Sequence, residues 1–217
     1  VRLTINNART PEALATKIAA KTDIKREEMI RTLRDSSLIA ELGFDSAEAM
    51  FSIFLPNTYE LPCDITPRSL VMRLKSESDK FWADPKRQEQ LERIGFTQLE
   101  VMTLASIVHE ETNAQGEMAR IAGVYINRLN KDMLLQADPT VKYALSDPSI
   151  KRILKRHLKI DSPYNTYIHK GLPPAPIAMP DIVAIDAVLD YEHHDYIYFC
   201  ARPEFDGKHN FAVTLKE

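Results

Sequence analysis

Residues 97–112, TQLEVMTLASIVHEET, form the strongest helix signal in the chain. Thr97 and Glu100 fit a capping box, in which the Thr97 hydroxyl accepts from an amide three residues on and Glu100 bonds back. The apolar run continues to Thr112, and residues 113–116, NAQG, break it. We therefore predict a helix over this stretch.

A carboxylate ends the apolar face of this helix. Leu104, Val108 and Glu111 are separated by four and three residues, so they lie on one face. Partial desolvation there raises the pKa of a carboxyl, and a carboxylic acid that stays protonated near neutral pH can protonate a glycosidic oxygen. We predict Glu111 as an acid/base residue, and the alternative is a surface glutamate at a frayed helix end.

Upstream of this helix, residues 1–64 predict a small βααβ domain. A strand at residues 1–5 is followed by a helix from Pro11, a second helix over about residues 25–34, and a strand beginning near residue 57. Apolar residues at helical spacing and the Thr-Pro start of the first helix support this interpretation.

Residues 65–217 predict a larger mixed domain of helices and a terminal β-hairpin. One helix starts at Thr66 and runs to Trp82, and another spans about residues 117–130. Residues 161–180 hold five of the thirteen prolines and predict a long ordered loop that shapes a cleft. An Asp-Gly turn between alternating runs near residues 195–215 predicts the hairpin. The fold class is therefore α+β, with two domains.

Composition and charge narrow the function classes. Lys and Arg total 28 against 31 Asp and Glu, a formal charge of −3, so no nucleic-acid partner is expected. No apolar run reaches the length of a membrane span, but the chain opens with Val1 and reads as a fragment, which leaves an N-terminal anchor open. Cys63 and Cys200 are interpreted as two unpaired, half-buried thiols.

Two further segments offer polar groups to a site. Asp138 precedes Pro139 and is a second carboxylate, an N-cap residue with proline at the first helical position, or both. Residues 162–167, SPYNTY, suit sugar binding or a loop locked by its own hydrogen bonds. His109 lacks a second histidine four residues on, so no metal site is predicted.

Several ordered blocks resemble the endolytic murein transglycosylases of the MltG (YceG-like) family. The resemblance covers most of the chain, and its motifs are far more specific together than singly. The blocks are Phe54-Leu55-Pro56-Asn57-Thr58-Tyr59, Leu104-Ala105-Ser106-Ile107-Val108-x-x-Glu111-Thr112, residues 121–129 (IAGVYINRL), Leu135-Gln136-x-Asp138-Pro139-Thr140-Val141-x-Tyr143, residues 162–167, Gly171-Leu172-Pro173-Pro174-x-Pro176-Ile177, and Tyr196-x-Tyr198-Phe199 with His209 and Phe211.

The resemblance implies a set of site residues. The family's catalytic glutamate falls on Glu111, and many members carry Glu where this chain has His109. No cofactor or metal is implied. The residues expected to bind substrate are Gln136, Asp138, Tyr143, Tyr164, Asn165, Thr166 and Tyr167.

The resemblance also implies an architecture and a location. Residues 1–64 look like a LysM-like domain and residues 65–217 like the catalytic transglycosylase domain. The expected partners are peptidoglycan glycan strands and cell-wall synthases. The whole protein is expected at the periplasmic face of the inner membrane, held by a single N-terminal transmembrane helix that this sequence lacks.

The expected reaction cleaves the β-1,4 bond between N-acetylmuramic acid and N-acetylglucosamine and closes a 1,6-anhydro ring, with one glutamate as acid and then base. One alternative is a muramidase-type hydrolase in which Asp138 activates water. Another is a non-catalytic scaffold that binds the cell wall.

Overall fold

Two apolar cores and two small antiparallel sheets organise this α+β fold, for which we use a computed structural model. The structure describes residues 1–147, 149–150, 152–204 and 206–216. Ten α-helices and four strands occur in these ranges. The predicted fold class is confirmed at this level.

The first core is built around a two-stranded sheet that joins the start of the chain to residue 60. Strand β1 (Arg2–Ile5) pairs antiparallel with β2 (Asn57–Glu60). The segment between them holds four helices rather than the predicted two, so the βααβ outline was wrong in its helix number. They are α1 (Pro11–Ala19), α2 (Arg26–Leu33), α3 (Ser36–Glu41) and α4 (Ala47–Met50).

The two unpredicted helices are short and owe their starts to side-chain caps. The Asp35 carboxylate accepts from the amides of Ser37 and Leu38 at the start of α3. The Ser46 hydroxyl accepts from Ala49 N at the start of α4. Segments of four to six residues carry too little apolar periodicity to be recognised from the sequence.

Helix α5 (Pro67–Trp82) belongs to both cores. It starts where predicted, because the Thr66 hydroxyl caps Ser69 N and Pro67 occupies the first turn. Its first half places Leu70 and Leu74 in the first core, whereas Trp82 packs into the second. The predicted boundary between residues 64 and 65 therefore lies just before a helix that both halves share, and the boundary stays a prediction.

The second core surrounds one central helix. Helix α7 (Gln98–Glu111) carries the predicted capping box, and every residue from 101 to 108 is buried. The sequence predicted a single buried face, but neighbouring helices cover α7 on all sides, as is typical of a core helix. Those helices are α8 (Gln115–Asn130), α9 (Asp138–Leu145) and α10 (Ile182–Leu189), and α6 (Pro85–Ile94) packs against α10. Helices α6 and α10 were not predicted.

The terminal hairpin packs against α8. Strand β3 (Tyr198–Ala201) pairs with β4 (His209–Ala212), which confirms the predicted hairpin. Phe205, part of the predicted turn, lies outside the described residues. Gly123 lets the segment before the hairpin approach α8 closely, because a Cβ there would lie 2.4 Å from Glu192 O and 2.7 Å from His194 Nε2.

Two remaining expectations concern the cysteines and membrane spans. Cys63 and Cys200 are free, as predicted, but both are exposed rather than half-buried. Cys63 lies in a turn and Cys200 in strand β3, and both positions are at the surface, so the neighbouring apolar residues do not cover the thiols. Within the described ranges, no helix combines the length and apolar composition that a bilayer crossing requires.

Candidate active site

Glu111 occupies the last position of α7, where the buried helix reaches a cleft. The cleft has a volume of about 480 Å³, and Asp138, Pro139 and Lys142 of α9 form its opposite wall. The side chain of Glu111 is half-buried. A glutamate at this place combines desolvation with access to a ligand, as the helical spacing predicted.

The Tyr125 hydroxyl fixes the orientation of this carboxyl. Tyr125, on α8, is buried and donates to Glu111 Oε1 at 2.6 Å. Burial raises the pKa of Tyr125 well above its usual value, so the phenol remains a donor. Oε2 accepts no hydrogen bond within the described part of the chain, which leaves it to carry a proton.

A substantial fraction of Glu111 is protonated near neutral pH. Burial raises the pKa of Glu111 to about 7, the Tyr125 hydrogen bond opposes that rise, and the nearby negative charge of Asp138 adds to it. The carbonyl end of α7 also disfavours a negative charge at this position. A carboxyl with this pKa can both give and take a proton at physiological pH.

Asp138 and Tyr167 form a second hydroxyl–carboxylate pair across the cleft. Asp138 is the first residue of α9 and makes no N-cap hydrogen bond, so the predicted capping role was wrong. Its Oδ1 instead accepts from the Tyr167 hydroxyl at 2.6 Å. Burial and the Asp138 carboxylate raise the pKa of Tyr167, which keeps this hydroxyl protonated.

Asn165 and Thr166 are buried beneath the cleft rather than exposed in it. The Asn165 amide donates to the carbonyls of Leu158 and Ile160, at 3.0 and 2.8 Å. The Thr166 hydroxyl accepts from Ala137 N at 3.0 Å. These side chains lock the loop, which is the structural alternative that the sequence left open, and their buried groups are not free for a glycan.

Gln136 is exposed on the segment that Thr166 holds. Its backbone has a φ of +52°, and its backbone N–H donates to the Thr166 carbonyl oxygen at 3.0 Å. A left-handed backbone is uncommon for a residue other than glycine, and such residues often mark functional sites. The buried loop thus fixes Gln136 two residues before Asp138.

Tyr143 and Tyr164 form a separate aromatic wall. Their ring centroids are 4.7 Å apart with the planes tilted by 52°. Both rings line a surface cavity with Pro174, and neither residue lines the 480 Å³ cleft at Glu111. Their predicted role in substrate binding therefore concerns a surface beside the acid.

Three supporting residues were not among the predicted site residues. Tyr125 falls in the helix predicted over residues 117–130 and was given no site role, because its partner lies on another helix. Arg128 is buried and donates to Ile197 O at 2.7 Å and Leu135 O at 2.6 Å, which ties the hairpin to the segment before α9. His209 contacts the buried Glu117 carboxylate, with Nδ1 to Oε2 at 3.1 Å.

His109 points away from the pair formed by Glu111 and Tyr125. Its Nδ1 is buried without a hydrogen bond and lies 3.6 Å from Asp181 Oδ2. The Glu110 carboxylate pairs at 2.5 Å with Arg9, which lies between β1 and α1. Among the described residues, no three His, Cys, Asp or Glu side chains are grouped as metal ligands.

These features define a class: an α+β protein whose cleft presents a half-buried, protonatable glutamate held by a tyrosine. The chain belongs to the YceG-like family, whose family model matches residues 1–217. This identification agrees with the family resemblance of the ordered sequence blocks.

Similar proteins agree with this assignment. An endolytic murein transglycosylase of Bacillus subtilis (strain 168) is 29% identical over 230 residues, which cover 100% of this chain and 62% of that protein. One from Streptococcus pneumoniae serotype 2 (strain D39 / NCTC 7466) is 29% identical over 197 residues, 88% of this chain and 35% of that protein. The chain thus spans about three fifths and about one third of these relatives.

A solved structure also shares the fold. The 2.6 Å crystal structure of a protein from Listeria monocytogenes that is described as yceG-like superposes with a TM-score of 0.85 at 29% identity. The match covers 99% of this chain and 74% of that one. The shared fold therefore includes both cores.

Proposed function

We propose that this chain is the catalytic part of an endolytic murein transglycosylase. It would cleave the β-1,4 bond between N-acetylmuramic acid and N-acetylglucosamine inside glycan strands and leave 1,6-anhydro ends. The observation that carries the proposal is the pKa of about 7 of Glu111 at the edge of an open cleft. Membership of the family and the names of its curated relatives supply the substrate class.

The acid step uses the proton on Glu111. Tyr125 holds Oε1, so Oε2 donates its proton to the glycosidic oxygen, and the bond from that oxygen to C1 of the muramic acid breaks. The carboxylate that results then accepts the proton of the C6 hydroxyl of the same sugar. O6 bonds to C1, and Glu111 regains its proton as the ring closes.

No water and no second carboxylate take part in this sequence. Asp138 lines the same cleft, which favours the hydrolase as the second candidate. However, its carboxylate already accepts from Tyr167, and a negative charge there adds to the rise in the pKa of Glu111. We assign Asp138 the role of an electrostatic and positioning partner of the acid.

The remaining proposed roles follow the geometry of the cleft. Gln136 binds sugar from an exposed, fixed backbone, and Tyr143 and Tyr164 provide ring faces further along. Asn165, Thr166 and Tyr167 position the walls of the cleft.

Residues 1–64 act as a LysM-like unit beside the catalytic part, residues 65–217. The whole protein acts outside the cytoplasm, is anchored by one N-terminal transmembrane helix, and works with cell-wall synthases.

Product analysis of uncrosslinked glycan tests this function. The wild type should cleave strands internally and release anhydro ends, and Glu111→Gln should release almost none because it removes the proton but keeps the shape. Ends that are one water heavier would establish the hydrolase instead. Binding without shortening of strands would establish the scaffold.

A further inference from the structure

We propose that Lys142, together with Arg152 of the same cleft, forms a site for a carboxylate carried by the muramic acid side chain of the substrate. This inference rests on the proposed function and names the part of the substrate that the cleft recognises besides the scissile bond. It gives the enzyme a means to read the substituent of the sugar and not only the glycan backbone.

Lys142 lies at a junction of cavities. It is four residues after Asp138 on α9 and therefore shares a helix face with it. Its side chain lines the 480 Å³ cleft at Glu111 and two neighbouring cavities of 540 and 590 Å³ that reach Arg9. A group that binds in front of Glu111 and extends toward the first core must pass this lysine.

The two acidic residues that line the cleft together with Glu111 and Lys142 each bond to another residue. Glu110 is bound by Arg9 at 2.5 Å, and Asp138 accepts from Tyr167 at 2.6 Å. An Asp and a Lys four residues apart on a helix commonly pair, but Asp138 and Lys142 do not. The cleft is therefore lined by a half-buried lysine whose expected partner on the helix bonds to another residue.

No ion pair or hydrogen bond joins either Lys142 or Arg152 to another residue of the described ranges. Arg152 is exposed and lines the same cleft as Lys142 and Glu111. Both cations can therefore pair with an incoming carboxylate through charge-assisted hydrogen bonds. The chain as a whole has a formal charge of −3, so this is not a general excess of basic residues.

The chemistry of the substrate limits what this site can bind. The backbone of the glycan is neutral, and negative charge enters through the lactyl side chain of muramic acid. That side chain ends in a free carboxylate when no peptide is attached, and it carries the carboxylates of the stem peptide when one is. Both sources offer the same group to Lys142, and they can be separated experimentally.

The test compares matched variants on three forms of one uncrosslinked glycan. Lys142→Met keeps the length and removes the charge, Lys142→Arg keeps the charge, and Lys86→Met is the control on the exposed side of α6. The substrates are stem-bearing strands, amidase-stripped strands with free lactyl carboxylates, and stripped strands whose carboxylates are converted to neutral methylamides.

We expect Lys142→Met to lower kcat/KM for anhydro-end release about tenfold on a carboxylate-bearing form, the size of one charge-assisted hydrogen bond. It should leave the neutral form unchanged, and Lys142→Arg should retain most activity. A loss on stem-bearing strands assigns the stem carboxylate, and a loss on stripped strands assigns the lactyl carboxylate. An equal loss on the neutral form, or no loss on either charged form, would overturn the proposal.

Binding to Glu111→Gln separates this proposal from the proposed function. Fluorescent strands of the sensitive form should bind Glu111→Gln more tightly than the variant that also carries Lys142→Met, and added salt should reduce the difference. If the wild type releases no anhydro ends but this difference is present, the reaction is wrong and the site stands. Anhydro ends without any effect of Lys142→Met would refute the site alone.

Discussion

The two walls of the cleft carry the same pair of groups in different surroundings. On one wall the Tyr125 hydroxyl donates to Glu111, and on the other the Tyr167 hydroxyl donates to Asp138, each at 2.6 Å. Glu111 is half-buried at the end of a core helix, whereas Asp138 is exposed. Burial, and not the tyrosine, therefore gives Glu111 its raised pKa, since the Tyr125 hydrogen bond lowers that pKa.

The largest expected effect separates the two carboxyls by activity. Glu111→Gln should lower kcat by about 10²–10⁴-fold, the usual contribution of a general acid. Asp138→Asn should cost about tenfold or less, because it weakens one hydrogen bond to a charged group. Initial rates of anhydro-end release measure both. A larger loss for Asp138→Asn would reverse the roles of the two walls.

The second effect is a gain in stability that depends on pH. The folded-state pKa of Glu111 is raised from 4.5 to about 7, so ionisation of this group destabilises the fold increasingly as pH rises between those values. Glu111→Gln removes that cost and should be more stable than the wild type by about 3 kcal/mol at pH 8, with no gain below pH 4.5. Urea unfolding at both pH values measures it.

Asp138→Asn is the matched control for this stability measurement. Solvent hydrates the exposed Asp138 carboxylate, so the variant should show no comparable gain at pH 8. A gain of equal size in both variants would mean that the general negative charge of the cleft is responsible, and not the burial of Glu111.

A third comparison concerns the tyrosines. Tyr125→Phe removes a hydrogen bond that lowers the pKa of Glu111, so the alkaline limb of the kcat/KM profile should move upward by about one pH unit or less. Tyr167→Phe should leave that limb in place, because its hydroxyl bonds to Asp138. An unmoved limb in Tyr125→Phe would show that Tyr125 only packs.

The smallest effect is expected just outside the cleft. Arg9→Ala breaks the ion pair with Glu110, and because half of the Arg9 side chain is exposed the stability should fall by less than about 1 kcal/mol. Thermal unfolding measures this change. A fall as large as that expected from a buried pair would show that the contact between the first core and α7 depends on it.

Local signals in the sequence predicted two of the structural elements around the site. The capping box of α7 and the Asp-Gly hairpin depend on neighbouring residues, and both are confirmed. The spacing that placed Glu111 at the end of an apolar face also explains its raised pKa. The resemblance of ordered blocks then supplied the substrate class, which spacing alone does not.

Contacts between distant segments were beyond such signals. In the sequence, Tyr125 is one more residue at the spacing of a buried helix face. Its site role was not predicted, because its hydroxyl donates to a carboxyl on another helix. The residue type of Asn165 suggested a role in sugar binding, although its side-chain amide donates to two backbone carbonyls of its own loop. Helices α3 and α4 are too short for a periodic pattern. Each of these features depends on which parts of the chain meet, and not on local order.

The position of α5 in both cores has a mechanical consequence. A force that pulls the two cores apart would act on a continuous helix, which packs through Leu70 in the first core and Trp82 in the second. Such a helix lengthens only after its backbone hydrogen bonds break, whereas a flexible linker extends without breaking any. We therefore expect a force on one core to be transmitted to the other core through α5.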